Sequence, residues 1–494
     1  MSPVLQVLIA FILPVAFQQG TVQEPAQAQY FEAMASATAE GLPSLIRKLD
    51  AAANAFPSSA FTPRLHETIQ MIALLHPGSL PDQAARLQAM KAQASGNPEM
   101  AKVLRRLEIV QEYYAAAAKG RPESAAAALS DSIFEGSLLG VQAMADAALR
   151  TRDYGKAEAL AEQIIEADPY SPLLANAYVI LGICDAFRGN APSAARRFQR
   201  ALAVSPLPTL YGSTRDFLAV TYRFARPTPG AVGDIFDDVA VSRLAGTQGL
   251  KDPHSLLFHL DKFILIDREQ VLSLSADGKV TETKPVKKIE DFAIAAGGRF
   301  YYLADDAIDL GTGTWTPLTT TIGGKPKALK KLRSLAVDER GDILILDQDA
   351  GLFFGSPAAA STLSLTEIAP VRGRLVRIDR RGNIYILSMD QRSIAVVSRE
   401  GKSLTTVSPT SIGGKEPSIE YFALDALNHI YILDPTSIQI FAMNDGSAGL
   451  EKAKAGIIPL DPRPHFKNLR VLAVSATGEM VVTGKNEDNW VLFR

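Results

Sequence analysis

Aspartate residues follow several short apolar runs in the second half of the chain, and their carboxylates are well suited to ligand chemistry. The runs ILILD, YILS and YILD end at Asp347, Ser388 and Asp434. Carboxylates gathered in space would bind a cation, a basic peptide or a sugar. The alternative is structural, because Asp commonly ends strands and opens turns. The candidate ligand-binding residues of this set are Asp305, Asp306, Asp347, Asp349, Asp390, Arg392 and Asp434.

Two glycine–lysine motifs supply the opposite charge. Ile322–Pro326 reads IGGKP and Ile412–Pro417 reads IGGKEP, so Lys325 and Lys415 hold equivalent places. The first motif opens a basic run that ends at Arg333. Such a run would contact anionic polysaccharide or lipid head groups, and a solvated loop is the alternative. Neither motif predicts a phosphate loop, because no helix follows to offer its N-terminus.

Catalytic and metal-binding patterns are missing from the sequence. It contains no G-x-S-x-G elbow, H-E-x-x-H helix, P-loop or EF-hand loop. The single cysteine, Cys184, excludes an intramolecular disulfide and any Cys-based zinc site within one chain. His429 stands where a sister repeat has Asp342, which favours a turn residue over a metal ligand. We therefore predict no catalytic residues, no metal ligands and no cofactor.

Composition bounds the class of protein. The chain has 494 residues, of which 47% are apolar and 21% charged, as in globular proteins with a sizeable core. This length allows about two to four domains. The formal net charge of -2 argues against a nucleic-acid-binding protein, which normally has a clear basic excess.

The first residues resemble a secretory signal. Val4–Phe17 is a nearly unbroken apolar run, shorter than the ~20 residues that span a bilayer. Ala26 and Ala28 then give the small-x-small form of a cleavage site. The departure is the absence of Lys or Arg before the run, and a buried or interfacial helix is the alternative. We predict a signal peptide at 1–28 and a periplasmic or extracellular protein that is not integral to the membrane after cleavage.

Residues 30–225 are rich in alanine, with apolar residues at helical spacing and breakers every 15–25 residues. The segment 177–206 reads AYVILGICDAFRGNAPSAARRFQRALAVSP and resembles a tetratricopeptide (TPR) repeat. The residues at its signature positions are Tyr178, Leu181, Gly182, Gly189, Ala194, Phe198, Ala201, Leu202 and Pro206. The resemblance implies a helical solenoid. Its groove would present Asn176, Asp185 and Arg188, although Asp185 stands where the family usually has an aromatic residue.

The sequence pattern changes at the linker 226–234. Residues 235–494 have the pattern of short strands separated by Asp/Gly turns. A unit such as LAVDERGDILILD recurs with a period of about 40–50 residues, which is the signature of propeller blades. The copies start at Ser255, Phe292, Leu335, Val376, Phe422 and Leu472. The unit resembles the NHL repeat, in which an inner strand, a D-x-x-G turn and an apolar second strand follow one another. We predict a six-bladed propeller, closed by a strand at Asp234–Val239.

The resemblance places the loops after the second strands on the same face as the loops that lead into the inner strands. The candidate acids, Lys325 and Lys415 would then surround one mouth of the propeller. These features predict an exported, non-catalytic binding or scaffold protein. Its partner would be a protein or peptide, or an anionic envelope polysaccharide. The alternative is a lactonase-like, metal-dependent hydrolase or lyase that holds a cation in the funnel through Asp347, Asp390 and Asp434.

Overall fold

A computed structural model shows a helical region followed by a six-bladed β-propeller. It describes residues 24–494 apart from 76–79, 81, 119–122, 131, 135, 169–170, 205–210, 226–235, 237–238, 245–249, 287–288, 296–297, 323–324, 339–340, 360–361, 412–417, 447–448, 461–467 and 486–488. The helices are α1 Pro25–Glu40, α2 Leu42–Ala55, α3 Thr62–Leu75, α4 Gln83–Ala94, α5 Pro98–Ala118, α6 Glu123–Ala126, α7 Leu138–Arg150, α8 Tyr154–Ala167, α9 Leu174–Phe187, α10 Ala191–Val204 and α11 Tyr211–Ala225. Among the described residues, no helix is both long and apolar enough to cross a bilayer.

The chain divides into two compact units. The first comprises 1–111 with 168–172, and the second comprises 112–167 with 173–494. In the first unit, α1 to α3 share an apolar core that includes Tyr30, whose hydroxyl donates to Asp168 at 2.9 Å. Ala26, inside the predicted signal peptide, is buried in α1. The predicted linker 226–234 lies outside the described residues, so the predicted domain boundaries stay predictions.

Helices α9 and α10 form the hairpin that the strongest helical repeat predicts. Gly182 of α9 faces Phe198 of α10 so closely that a Cβ there would lie 2.6 Å from the Phe198 ring. Gly189 makes the turn with a φ of 80°. Small residues on one helix thus admit a large ring from the next. This geometry fits a TPR-like hairpin, and membership of that family remains a prediction.

The described strands form six sheets, which confirms the predicted propeller. Blade 1 has β2 Pro253–His259, β3 Lys262–Asp267, β4 Gln270–Leu274 and β5 Val280–Pro285; blade 2 has β6 Asp291–Ile294, β7 Phe300–Leu303, β8 Ala307–Asp309 and β9 Trp315–Pro317. Blade 3 has β12 Leu332–Val337, β13 Ile343–Asp347, β14 Gly351–Ala359 and β15 Thr362–Ala369, and the hairpin β10 Thr319–Ile322 and β11 Lys325–Ala328 lies at its outer edge. Blade 4 has β16 Gly373–Ile378, β17 Ile384–Ser388, β18 Ile394–Val397 and β19 Ser403–Val407; blade 5 has β20 Tyr421–Leu424, β21 His429–Leu433, β22 Ser437–Gly446 and β23 Gly449–Pro459. Blade 6 has β24 Leu469–Val474, β25 Met480–Gly484, β26 Asn489–Phe493 and β1 Val239–Arg243.

A strand from before blade 1 closes the ring, as predicted, but it begins later in the sequence. β1 starts at Val239 and pairs antiparallel with β26, with Val239 opposite Phe493. Phe236, expected within the strand, is instead buried with its ring 5.6 Å from that of Phe493. The rest of the predicted segment 234–238 lies outside the described residues. Closure gives β26 a partner and so removes an unpaired edge from the last blade.

The first two strands of each blade define two faces of the propeller. The turn face carries the turns that join first to second strands, and the mouth face carries the ends of the second strands. On the turn face, Asp379 accepts hydrogen bonds from the N–H groups of Arg381 and Asn383, both at 2.8 Å, and from the Tyr385 hydroxyl at 3.1 Å. Asp425 repeats this arrangement in blade 5, where it accepts from Leu427, His429 and Tyr431. The repeated Asp is therefore the acceptor that holds this turn in blades 4 and 5, as Asp338 does in blade 3.

Within the second unit, helices pack on the turn face of blades 4 to 6. The Phe224 ring of α11 stacks on His429 with centroids 3.8 Å apart. The Tyr154 hydroxyl of α8 donates to Asp445 at 2.6 Å. The Arg381 guanidinium lies 5.1 Å from the centre of the Phe187 ring. Helices and propeller therefore share a packed, charged contact on this face.

Candidate functional site

A charged residue, or in blade 1 a histidine, stands at the same place near the start of each inner strand, on the mouth face. In blades 1, 3, 4 and 6 the pairing of first and second strands shifts by one residue there, which makes a β-bulge. In blades 2 and 5 the place falls just before the inner strand, and the N–H groups of Glu290 and Glu420 donate to carbonyls of the second strand at 2.8 Å. The six residues, called the bulge ring from here on, are His254, Glu290, Arg333, Arg374, Glu420 and Arg470.

Two acid–base pairs join neighbouring members of the bulge ring. Arg333 contacts Glu290 at 3.1 Å, and Arg470 contacts Glu420 at 2.8 Å. Both nitrogens of the His254 ring contact backbone carbonyls, that of Ile289 at 2.7 Å. Arg374 is exposed, and its guanidinium has no hydrogen bond or ion pair within the described part of the chain. The bulge ring therefore carries one uncompensated arginine between two neutralised pairs.

Below the bulge ring, side chains from five blades close the base of the mouth. Arg377 of blade 4 reaches Asp291 of blade 2 at 3.2 Å and the Tyr421 hydroxyl of blade 5 at 2.6 Å. The Asp291 carboxylate also accepts from the hydroxyls of Ser255 and Ser334, both at 2.6 Å. Arg377 and Asp291 are buried, so each needs the other to offset its lost hydration. This floor network fills the centre of the propeller with satisfied polar groups.

Bulge ring and floor network bound a cavity of about 980 Å³. Five members of the bulge ring line it, all except Arg470, together with apolar side chains such as Leu375, Leu387 and Met389. This size suits a small ligand or a short peptide segment. Among the described residues, no group of three or more His, Cys, Asp or Glu side chains is arranged to hold a metal ion.

The acids predicted from the sequence lie around this mouth, but none lines the cavity. Asp347 is buried and accepts from the N–H groups of Asp349 and Ala350 at 2.9 and 2.8 Å. Asp434 is also buried and accepts from the Ser437 hydroxyl at 2.6 Å. Both carboxylates hold the turn that follows their strand. A role for them in ligand binding remains a prediction.

Two more of the predicted acids are exposed and have partners of their own. Lys331 contacts Asp349 at 2.9 Å, and this hydrogen bond lowers the pKa of the carboxyl group. Asp390 accepts from the Ser388 hydroxyl at 2.5 Å, which lowers its pKa likewise. Both are therefore anionic at neutral pH and point to local partners.

The rest of the predicted mouth set is divided. Asp305 lies 3.9 Å from Arg333 and so adjoins the bulge ring. Asp306 and Arg392 are exposed. Lys325 begins β11, where it pairs with Ile322 in the outer hairpin of blade 3, and Lys415 lies outside the described residues. Asp305 is thus a predicted residue that the fold brings into contact range of the bulge ring.

The predicted helical groove residues make contacts within the helical region. Asp185 accepts from the Ser193 hydroxyl at 2.7 Å, which links α9 to the first turn of α10. This contact explains a carboxylate where the TPR family has an aromatic residue. Arg188 pairs with Glu158, and Asn176 is half-buried in α9. Their part in a groove remains a prediction.

Sequence reasoning missed the bulge ring although a signal was present. In five copies of the blade repeat, a Glu or Arg stands two residues before the start of the repeated unit, as in Glu290 before Phe292 and Arg374 before Val376. The candidate acids predicted from the sequence follow the second strands instead. The β-bulge that orients these side chains depends on how two strands pair, and the sequence of one strand alone does not predict it.

Fold and site together define a six-bladed β-propeller with a polar mouth that is closed at its base. No protein-family model matches the chain, and no curated protein matches it.

Solved structures resemble about half of the chain. They include a gluconolactonase from Xanthomonas campestris, at 13% identity and a TM-score of 0.38 over 52% of this chain and 90% of that one. A virginiamycin B lyase from Staphylococcus aureus has 12% identity and a TM-score of 0.34 over 50% and 81%. YCF48 bound to D1 peptide has 9% identity and a TM-score of 0.33 over 52% and 96%. These identities and TM-scores assign no function to the chain. A functional proposal has to rest on the residues of the chain itself.

Proposed function

We propose that this chain is an exported, non-catalytic binding protein that holds its ligand in the mouth of the propeller. The observation that carries the proposal is the cavity of about 980 Å³ between the bulge ring and the floor network. The mixed charged and apolar lining fits recognition of a ligand with both kinds of group. The helical repeats, proposed to be TPR-like, would supply a second binding surface.

The state of the floor network favours binding over catalysis. A general base must have a lone pair free to take a proton from the substrate. Asp291, the buried carboxylate of the floor network, accepts hydrogen bonds from two serine hydroxyls, from Arg377 and from the N–H groups of Phe292 and Leu335. Its acceptor capacity is thus used within the protein. We therefore infer that the floor network stabilises the shape of the mouth and that the Asp291 carboxylate does not act as a general base.

A funnel-bound cation, as in the alternative of a metal-dependent enzyme, would meet the guanidinium of Arg377 beside Asp291. Like charges at this depth repel strongly because the dielectric constant is low. We therefore expect no change in melting temperature when calcium or zinc is added to the full-length protein. A shift that is abolished by Asp291→Asn would favour the enzyme instead.

Capture of partners by the immobilised full-length protein tests the mouth as the binding surface. Met389 lines the cavity and is 41% exposed, so Met389→Trp would fill part of it. Leu260, 79% exposed in the turn of blade 1 on the opposite face, gives the control Leu260→Trp. We expect partners from a cell-envelope extract to be retained by wild type and the control, and lost by Met389→Trp. Equal capture by all three proteins would refute the mouth as the site.

Export is tested separately by the mature N-terminus. Cleavage after Ala28 would make Gln29 the first residue. N-terminal sequencing of the protein from the envelope fraction should find it. Recovery of the uncleaved chain in the cytoplasm would contradict export and leave the binding proposal unaffected.

A further inference from the structure

Among the described residues, Arg374 differs from the other two arginines of the bulge ring in having no partner for its charge. The inner strand of blade 4 holds Gly373 so tightly that a Cβ there would lie 2.5 Å from the carbonyl oxygen of Leu387. Between Gly373 and Leu375 the strand pairing shifts, and Arg374 is the bulged residue. The tight packing of Gly373 fixes the backbone from which Arg374 extends into the cavity. Its position is therefore determined by backbone packing, although its guanidinium has no partner among the described residues.

The charges on both sides of Arg374 are already neutralised. Arg333 of blade 3 pairs with Glu290, and Glu420 of blade 5 pairs with Arg470. Among the described residues, a ligand anion would thus meet the unpaired guanidinium of Arg374 between two ion pairs. Two further exposed cations that line the cavity, Lys251 and Arg268, lie at blade 1. Guanidinium groups bind carboxylates and phosphates through two parallel hydrogen bonds, which gives such contacts both strength and direction.

We infer that Arg374 binds a carboxylate group of a peptide ligand in the mouth. This inference rests on the proposed function and specifies its chemistry. The carboxylate comes from an acidic side chain or from a free C-terminus of the ligand. Apolar side chains beside the acid would pack on Leu375, Leu387 and Met389, which line the same cavity.

Two features favour a peptide over other anions. Glu269 lines the cavity, is exposed and has no ion pair among the described residues, so its carboxylate opposes a doubly charged phosphate more than a singly charged carboxylate. The aromatic rings among the described cavity-lining side chains are those of Tyr421, which is buried, and His254, which is half-buried with both nitrogens on backbone carbonyls. Neither ring is fully exposed for a sugar to stack on, whereas Met389 offers an adaptable apolar contact for a peptide side chain.

Fluorescent peptide pools test the inference on the full-length protein. One pool of nonapeptides has a central Glu among random apolar and small residues, with an amidated C-terminus. A matched pool has Gln at the centre, and a third has Gln with a free C-terminal carboxylate. We expect either carboxylate pool to bind at least about tenfold more tightly than the amidated Gln pool, measured by fluorescence anisotropy. An oligogalacturonate serves as a carboxylate source without peptide.

Arg374→Gln should remove the preference for carboxylate, and Arg374→Lys should keep part of it, because the charge remains while the two-pronged geometry is lost. The matched control is Arg372→Gln, which removes an exposed arginine two residues earlier that does not line the cavity. It should bind like wild type. Thermal melting of each variant shows whether it is folded.

Several results would overturn the inference. They are equal binding of all three pools, an equal loss in Arg374→Gln and Arg372→Gln, no binding of any pool, or Arg374-dependent binding of the oligogalacturonate alone. The last would identify a sugar acid as the ligand. None of these results changes the outcome of the capture experiment with Met389→Trp. The mouth can therefore be a binding surface even if the inference about a carboxylate is wrong.

Discussion

Both faces of the propeller carry arginine residues, but these arginines differ in burial and in ion pairing. On the turn face, Arg381 has a side chain only 2% exposed, and it contacts Asp445 at 2.9 Å and Asp379 at 3.4 Å. On the mouth face of the same blade, Arg374 is exposed and has no ion pair among the described residues. The turn face thus uses Arg381 to hold the helices, and the mouth face leaves the Arg374 guanidinium available for a ligand. Residue type alone does not separate these two roles.

The largest expected effect is the loss of stability in Arg381→Met. Removal of the guanidinium leaves Asp379 and Asp445 without their cation, which costs about 3–5 kcal/mol when the partner is buried. Arg374→Met should change the free energy of unfolding by no more than about 0.5 kcal/mol. Urea denaturation of both variants and the wild type measures the difference. Equal losses would erase the distinction between the two faces.

A smaller difference in stability is expected between substitutions at two turn glycines, because helix α11 lies against one of them and not against the other. Gly341 and Gly478 have φ values of 80° and 81°, so replacement by Ala strains either turn by about 1–2 kcal/mol. A Cβ at Gly478 would also lie 3.1 Å from the Arg223 Nε and 3.2 Å from the Val220 Cγ2 of α11, whereas Gly341 has open space. We expect Gly478→Ala to lower stability by about 1 kcal/mol more than Gly341→Ala. Identical melting temperatures would show that α11 does not press on this turn.

The smallest expected effect is a pH dependence of stability that belongs to the turn face. Burial raises the pKa of Tyr385 and of Tyr431 well above the ordinary value, and the nearby carboxylates of Asp379 and Asp425 raise it further. A group whose pKa is raised on folding stabilises fully below its unfolded pKa, here about 10, and loses that contribution as the pH rises. Tyr385→Phe and Tyr431→Phe should each flatten the fall of melting temperature above pH 10. An unchanged alkaline profile in the double variant would contradict buried, neutral tyrosines.

The sequence predicted those features of the fold that depend on local chemistry. Asp338 and Gly341 mark a turn because an Asp acceptor and a positive φ are needed within a few residues. Six apolar repeats predicted six blades for the same reason. The bulge at Arg374 depends instead on which residue of β17 faces Gly373 and Leu375. The sequence also could not show that the Asp347 carboxylate accepts hydrogen bonds within its own turn, because these bonds depend on the three-dimensional path of the loop.

Ligand contact is the property on which the faces should differ most, and site-specific photo-crosslinking in living cells measures it directly. A photoreactive residue would replace Met389 in the mouth or Leu260 on the opposite face, where the side chains are 41% and 79% exposed. Exposure alone would favour crosslinks at position 260. We predict a discrete crosslinked partner at position 389 and none at position 260, and the opposite pattern would contradict a ligand site in the mouth.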